Sequence, residues 1–421
     1  MPIVAGVDSS TQSVKVVLRD ADSGELVAST SRPHPDGSEV NPQHWWKALS
    51  EALDELSSHK ISAISIAGQQ HGMIALDKDG TVIRDALLWN DTRSDKAAED
   101  LNREIPDIAL RTGSQLVASF TASKVRWLAD SEKANANRVA AIALPHDWLS
   151  WKLSGAKSIE TLFTDRSDAS GTGYFDSRKN EYCLDILATA IRTNQEIILP
   201  KIIAPNQFGA TSTNSIPIAA GAGDNAGAAL GLGASLGDLV ISLGTSGTAF
   251  AISKSSTHDS SGEVAGFADA TGNFLPLACT LNAAKIFNTV AKSLSLSFEE
   301  FSSLALSAKV GAEGLRIIPH FDGERTPNKP SAKGSFHGIT HSNFTKENIA
   351  RASIEGVIAG MIYAARAVER QGVSYSRILL IGGAAKNSAV QQIAADLFGR
   401  TIHIPPIGEY VADGAAKQAA W

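Results

Sequence analysis

Short apolar runs, each closed by glycine or small polar residues, recur along the chain. Ile3-Val4-Ala5-Gly6-Val7 stops at Asp8, a polar turn covers Ser9 to Ser13, and Val14 to Leu18 forms a second run. Asp22-Ser23-Gly24 then turns into a third run, Glu25 to Thr30. Three β-rich runs joined by tight turns predict an antiparallel meander. Asn41 suits an N-cap and Pro42 a first helical position, and Trp46, Leu49, Leu53 and Leu56 recur at helical spacing. Ile61 to Ala67 reads as a strand that ends in Gly68-Gln69-Gln70-His71-Gly72. Strand, helix and strand in this order predict an α/β sheet, whose ligands gather beyond the carboxyl ends of the strands. Gln70 and His71 fall at such an end.

The second half repeats this opening. Asp238 to Leu243 is a strand, Gly244-Thr245-Ser246-Gly247 a tight turn, and Thr248 to Ser253 a returning strand. Arg377 to Ile381 runs into Gly382-Gly383-Ala384, and a helix is expected from Asn387 to Phe398, with Val390, Ile393, Ala394 and Leu397 on one side. The turns at Asp8–Thr11 and Leu243–Thr245 occupy matching places in two hairpins, the mark of a duplicated unit. The boundary is expected near Leu236, giving domains 1–235 and 236–421; a chain of 421 residues is too long for one compact core.

Composition narrows the class. With 38 basic and 44 acidic residues and no Lys/Arg block, a nucleic-acid or anionic-membrane surface is not expected. The two cysteines, Cys183 and Cys279, form no metal or redox spacing and read as packing residues of a reducing compartment. The first residues lack a signal-peptide pattern and no apolar run reaches the roughly 18 residues of a membrane span, so a cytoplasmic protein is expected.

Small residues in the two hairpin turns let backbone N–H groups approach an anion, and a Thr hydroxyl adds a donor. Either turn alone is ordinary hairpin chemistry; at equivalent places they suggest a grip on nucleotide phosphates. Neither is a P-loop. Asp8 heads the first turn, where a carboxylate either caps the turn or carries hydrated Mg²⁺ beside phosphates. Gly221-Ala222-Gly223-Asp224-Asn225 precedes an Ala/Gly-rich helical stretch. Asp224 there suits the carboxylate that orients an attacking hydroxyl and takes its proton in phosphoryl transfer, with Asn225 near a second hydroxyl. As a bare pattern, Asp-Asn before a helix is a cap. Gly382-Gly383-Ala384, with Asn387 opening a helix, would let adenosine approach the backbone. Asp165 and Asp168 read as carboxylates of a polar turn near the cleft, a weaker choice for catalysis than Asp224. His337 and His341 stand four apart, but their glycine-rich surroundings argue against a helix and a zinc site.

These motifs occur in order: Asp8 to Thr11 with Lys15, Ala67 to Gly72, Leu88-Trp-Asn-Asp-Thr-Arg93, Gly223-Asp224-Asn225, Ser242 to Gly247, Gly323-Glu-Arg-Thr-Pro327 and Gly382-Gly383-Ala384. Together they resemble the carbohydrate kinases that include glycerol, gluconate, ribulose and xylulose kinases, over nearly the whole chain. Gln70-His71 with Gly223-Asp224-Asn225 is most similar to the members that act on D-xylulose; glycerol kinases carry Arg-Glu at the first pair.

The resemblance implies an α/β protein of two actin-like, ribonuclease-H-like domains around a central cleft, with sugar mostly on the first and ATP mostly on the second. It implies Asp224 as general base, Gln70, His71 and Asn225 on the other sugar hydroxyls, and Asp8 on Mg²⁺. Thr11, Gly244 and Thr245 would meet phosphates, and Gly383, Ala384 and Asn387 would border the nucleotide. The implied reaction converts ATP and D-xylulose to ADP and D-xylulose 5-phosphate; a homodimer is left open. Two departures stand out. The first turn reads Asp-Ser-Ser-Thr where many relatives have Asp-x-Gly-Thr, and relatives usually continue for several helical turns past the equivalent of Trp421. Competing readings are a kinase for ribulose, gluconate or another polyol, and an actin- or chaperone-like nucleotide-dependent binding protein. A sugar-sensing repressor would need a basic helix-turn-helix, which the sequence lacks.

Overall fold

The computed structural model describes residues 2–193 and 195–421. They divide into two compact units. The first comprises the chain up to Ala234 with Gly266–Phe274 and Gly408–Trp421; the second comprises Ser235–Ala265 and Leu275–Ile407.

In the first unit β1 (Ile3–Ser9), β2 (Ser13–Asp20) and β3 (Leu26–Pro33) form the antiparallel meander, with Val7 opposite Val16 and Val16 opposite Thr30. Helix α1 (Pro42–Glu55) starts where Asn41 accepts the Gln43 N–H at 3.0 Å. Its buried face is Trp45, Ala48, Leu49 and Ala52, one residue round from the expected stripe, because Trp46 and Leu53 lie at its margin. Strand β4 (Ile61–Gly68) returns parallel to β1. After α2 (Thr121–Ser131), α3 (Pro145–Ser154) and the one-turn α4 (Arg166–Ala169) come β5 (Phe208–Thr211), β6 (Pro217–Ala219), β7 (Ala222–Gly223) and α5 (Asp224–Leu232). The sheet runs β5-β6-β4-β1-β2-β3, with β7 also on β4. Val7, Val16, Leu18, Trp45, Leu49, Ile66 and Trp148 share one core.

The second unit contains β8 (Asp238–Leu243), β9 (Gly247–Ala251), β10 (Phe274–Thr280), the long helix α6 (Lys346–Arg370), β11 (Arg377–Ile381), α7 (Ser388–Phe398) and β12 (Ile402–His403). These strands lie in the order β10-β9-β8-β11-β12. Leu239, Ile241, Leu243, Ile358, Met361, Val390 and Ile393 meet in its core.

The last helix, α8 (Tyr410–Ala420), belongs to the first unit, so that unit is not one continuous stretch ending at residue 235. Ala412, Ala416 and Ala419 share a small core with Val4, Val17 and Ala63 of the sheet. Gly6 makes this seat possible, since a Cβ there would overlap the Ala412 carbonyl and Ala416. Among the described residues no helix is long and apolar enough to cross a membrane.

Candidate active site

Parallel pairing fixes the site's geometry in the first unit. Asp8 lies alongside Ala67 and Ser9 alongside Gly68, while Gly223 of β7 lies alongside Gly68 from the other side. Three chain segments therefore leave the sheet at one edge: Ser9 to Thr11, Gln69 to His71, and Asp224-Asn225. Asp224 opens α5, and both the backbone N–H and the side-chain amide of Asn225 donate to its Oδ1, at 2.7 and 2.9 Å. Asn225 thus orients the carboxylate. Burial pushes Asp224 up to about 7, and the negative charge of Asp8 adds to the rise. Burial also lifts Asp8 to about 6, against a 2.5 Å hydrogen bond from Ser10 Oγ and the charge of Lys15.

Gln70 donates from Nε2 to the Ser167 carbonyl at 3.1 Å. His71 sits in the left-handed region, at φ +70°, which costs a residue with a side chain free energy unless its surroundings enforce it. Here the enforcement is specific. Its carbonyl accepts from Thr121 Oγ1 and Lys124 Nζ, each at 3.1 Å, and its Nδ1 donates to the Gly171 carbonyl at 2.6 Å. Its ring leans on Phe120 and Phe267, with centroids 4.8 and 5.7 Å away. Burial pushes the Lys124 ammonium down to about 7, with Asp91 opposing.

The segment read as a polar turn of loop carboxylates is instead buried beneath these groups. Asp165 and Asp168 have no exposed surface. Asp165 caps α4, accepting from the Ser167 and Asp168 N–H groups at 2.7 and 2.9 Å. Ser167 joins the two walls of the site. Its carbonyl holds Gln70, and its hydroxyl accepts the Gly223 N–H at 3.1 Å. Gly171 completes the floor: a Cβ there would lie 3.0 Å from His71 Nδ1 and 3.5 Å from Gln70 Nε2.

Thr11, expected at the phosphates, has partners within the protein. Its hydroxyl accepts from Trp89 Nε1 at 2.9 Å and faces Gln69 Oε1 at 3.3 Å, so it fastens the turn to its own unit. Trp89, Ser167, Thr121 and Lys124 escaped the sequence reading. Only Trp89 gave a signal, through its place in the Leu88–Arg93 motif.

In the second unit Ser242 of β8 pairs with Ile381 of β11, so Gly244-Thr245 and Gly382-Gly383 leave their strands side by side. Gly382, at φ +94°, presses on the Leu243 backbone; a Cβ there would lie 2.6–2.8 Å from three of its atoms. Gly383 is open, with nothing within 4 Å of where a Cβ would stand. Thr245 is exposed at the turn tip. Ala384 and Asn387, expected at the nucleotide border, turn their side chains to the protein. The Ala384 side chain is buried in the core. The Asn387 side chain caps α7, accepting from Ala389 and Val390 at 3.0 and 3.2 Å and donating to Ser302 Oγ at 2.5 Å. His337 ends a short strand, Ser335–His337, and pairs with Ser335.

The first unit thus gathers carboxylate and amide side chains at strand ends, and the second has a glycine-rich double turn. Residues 3–231 match the N-terminal domain and residues 239–421 the C-terminal domain of the FGGY family of carbohydrate kinases, and the chain belongs to that family. It is a kinase with the family's two-domain, actin-like fold. It is similar to the xylulose kinase of Streptomyces coelicolor, at 41% identity over 100% of this chain and 88% of that one. The xylulose kinase of Escherichia coli is 32% identical, over 98% and 89% of the respective chains. The crystal structure of xylulose kinase from Bifidobacterium adolescentis superposes with a TM-score of 0.94 at 42% identity, covering 100% of this chain and 92% of that one.

Proposed function

We propose that this chain transfers the γ-phosphoryl group of ATP to the primary hydroxyl of D-xylulose, giving ADP and D-xylulose 5-phosphate. The observation that carries the reading is the single edge at which Asp224, Gln70 and His71 meet, braced by Ser167. Similarity to xylulose kinases along the whole chain supports the choice of sugar.

Asp224 is the general base. As the sugar oxygen bonds to the γ-phosphorus, the carboxylate takes its proton, and the bond to the β,γ-bridging oxygen breaks with its electrons leaving on ADP. A pKa of about 7 keeps a large share of Asp224 ionised at neutral pH and makes it a stronger base than an ordinary carboxylate. Gln70 and His71 hold the remaining hydroxyls. Asn225 sets the carboxylate's orientation. Gly244, Thr245 and Gly383 offer backbone and hydroxyl groups to the nucleotide.

Mg²⁺ fits the donor chemistry at Asp8. It is a buried carboxylate at a strand end, and Mg²⁺ takes one or two carboxylates together with water and substrate phosphates. Bound there, the ion would neutralise phosphate charge.

An ADP-release assay across ketoses and polyols tests the reading. The highest kcat/KM is expected for D-xylulose. A preference for another sugar overturns the substrate, and equal ADP formation without any sugar favours a nucleotide-dependent binding protein.

A further inference from the structure

One buried set of ionisable groups has no part in the reaction just described. His146, near the start of α3, is fully buried, and its ring is wedged between the two walls of the sugar site. A Cβ on Gly68 would lie 3.0 Å from His146 Cβ, and one on Gly221 would overlap the imidazole. Gly221 also has φ +83°, so both the space and the backbone there call for glycine.

The ring's partners define its protonation. Nδ1 lies 2.6 Å from Asp168 Oδ2 and 3.4 Å from Asp147 Oδ1. Nε2 lies 3.3 Å from the Ala220 carbonyl. A carbonyl oxygen only accepts, so Nε2 carries a hydrogen; an ionised carboxylate also only accepts, so beside an ionised Asp168 Nδ1 carries one too. A neutral imidazole has a hydrogen on one nitrogen only. A metal ion fits less well. Two ligands of a tetrahedral zinc at about 2.0–2.1 Å stand roughly 3.3 Å apart, whereas Nδ1 and Oδ2 are at hydrogen-bond distance.

We propose that His146 is a positioning residue held as a permanent imidazolium, whose single positive charge opposes those of Asp168 and Asp147 and thereby fixes α4 against the strand that leads into Asp224. Asp168 adjoins Ser167, the residue that holds both Gln70 and Gly223. The ring's other side meets Gly221, three residues before Asp224. The ionisable groups around it are Asp147 on α3, Asp165 and Asp168 on α4, and Tyr174 and Tyr182, with Asp224 beyond Asp168. Burial disfavours the imidazolium, but Asp147, Asp168 and Asp165 outweigh it and raise the ring to about 10. Without a cation here, carboxylates buried with unpartnered oxygens (Asp147 Oδ1, Asp168 Oδ1) would have to take up protons.

This inference deepens the proposed sugar site and rests on it. Neutron diffraction from deuterated crystals of the full chain at pH 8, above the ordinary histidine range of about 6.5, is expected to show deuterium on both ring nitrogens of His146. A missing deuterium on either nitrogen overturns the proposal. In solution, His146→Gln should lower kcat/KM for D-xylulose at least ~10-fold, the worth of about 1.4 kcal/mol, with KM for ATP unchanged. His146→Lys, which returns a cation, should recover most of that loss. Equal activity in the Gln and Lys variants would overturn the role of the charge. The neutron result stands even if Asp224→Asn retains full turnover, so failure of the base assignment and failure of this proposal are separable.

Discussion

Replacing Gly223 by alanine tests the junction between Asp224, proposed as the base, and the Gln70 amide, proposed to hold the sugar. The backbone at Gly223, φ −66° and ψ 150°, is ordinary for alanine, so the substitution acts through space alone. The new methyl would stand 2.6, 2.8 and 2.9 Å from Nε2, Cγ and Cδ of Gln70, too close for all three. Gln70 must swing away and give up its 3.1 Å hydrogen bond to Ser167. A lost hydrogen bond costs about 0.5–1.5 kcal/mol net, and a side chain forced off its rotamer about the same again. Together these make about 1–3 kcal/mol, which corresponds to a roughly 5- to 150-fold rise in sugar KM. In the ADP-release assay, KM for D-xylulose should rise within that range while KM for ATP holds and kcat changes by no more than about threefold. An unchanged sugar KM, repeated in Gln70→Ala, would remove Gln70 from the site.

Further outcomes follow from the same geometry. Asp224→Ala should cut kcat by about 10² to 10⁴ while calorimetry still registers sugar binding. In the parent enzyme, kcat/KM should fall tenfold per pH unit as Asp224 takes up its proton below about 7, and level off above. Lys124→Met should raise the sugar KM through loss of the His71 carbonyl anchor. Because the folded-state Lys124 pKa is depressed to about 7, the parent loses stability as pH falls from the unfolded-state value of 10.5. The variant should therefore gain on the parent across that window and hold a constant difference below it, which denaturant titrations at pH 7 and 10 can measure. Gly382→Ala should destabilise by more than 1 kcal/mol through its φ and its contact with Leu243, whereas Gly383→Val should leave stability nearly intact and raise KM for ATP.

The opening meander was legible in the sequence because its valines alternate and its turns hold Gly, Ser and Asp. The helix at Asp224 was legible because Gly-Asp-Asn precedes a small-residue run. The supports of the site were not, since each acts across a long loop. Ser167 meets Gly223 from 56 residues away and Gln70 from 97, and Lys124 meets the His71 carbonyl from 53. Local pattern also misread Asp165 to Gly171. Its polar composition suggests solvent, but apart from Asp168 Oδ1 its carboxylates and hydroxyls find partners internally, through a cap, backbone carbonyls and His146. The small residues of α8 signalled close packing without naming the sheet it would meet.

The seat of α8 has a consequence for how the enzyme comes into being. Its Gly414 crosses α5 at Gly227 and Gly231, backbone against backbone, so the helix bearing Asp224 rests on residues synthesised long after it. A ribosome must therefore carry on through α8 before this support exists. A fragment stopping at Ala234 would present Val4, Val17 and Ala63 to water and should aggregate rather than bind sugar.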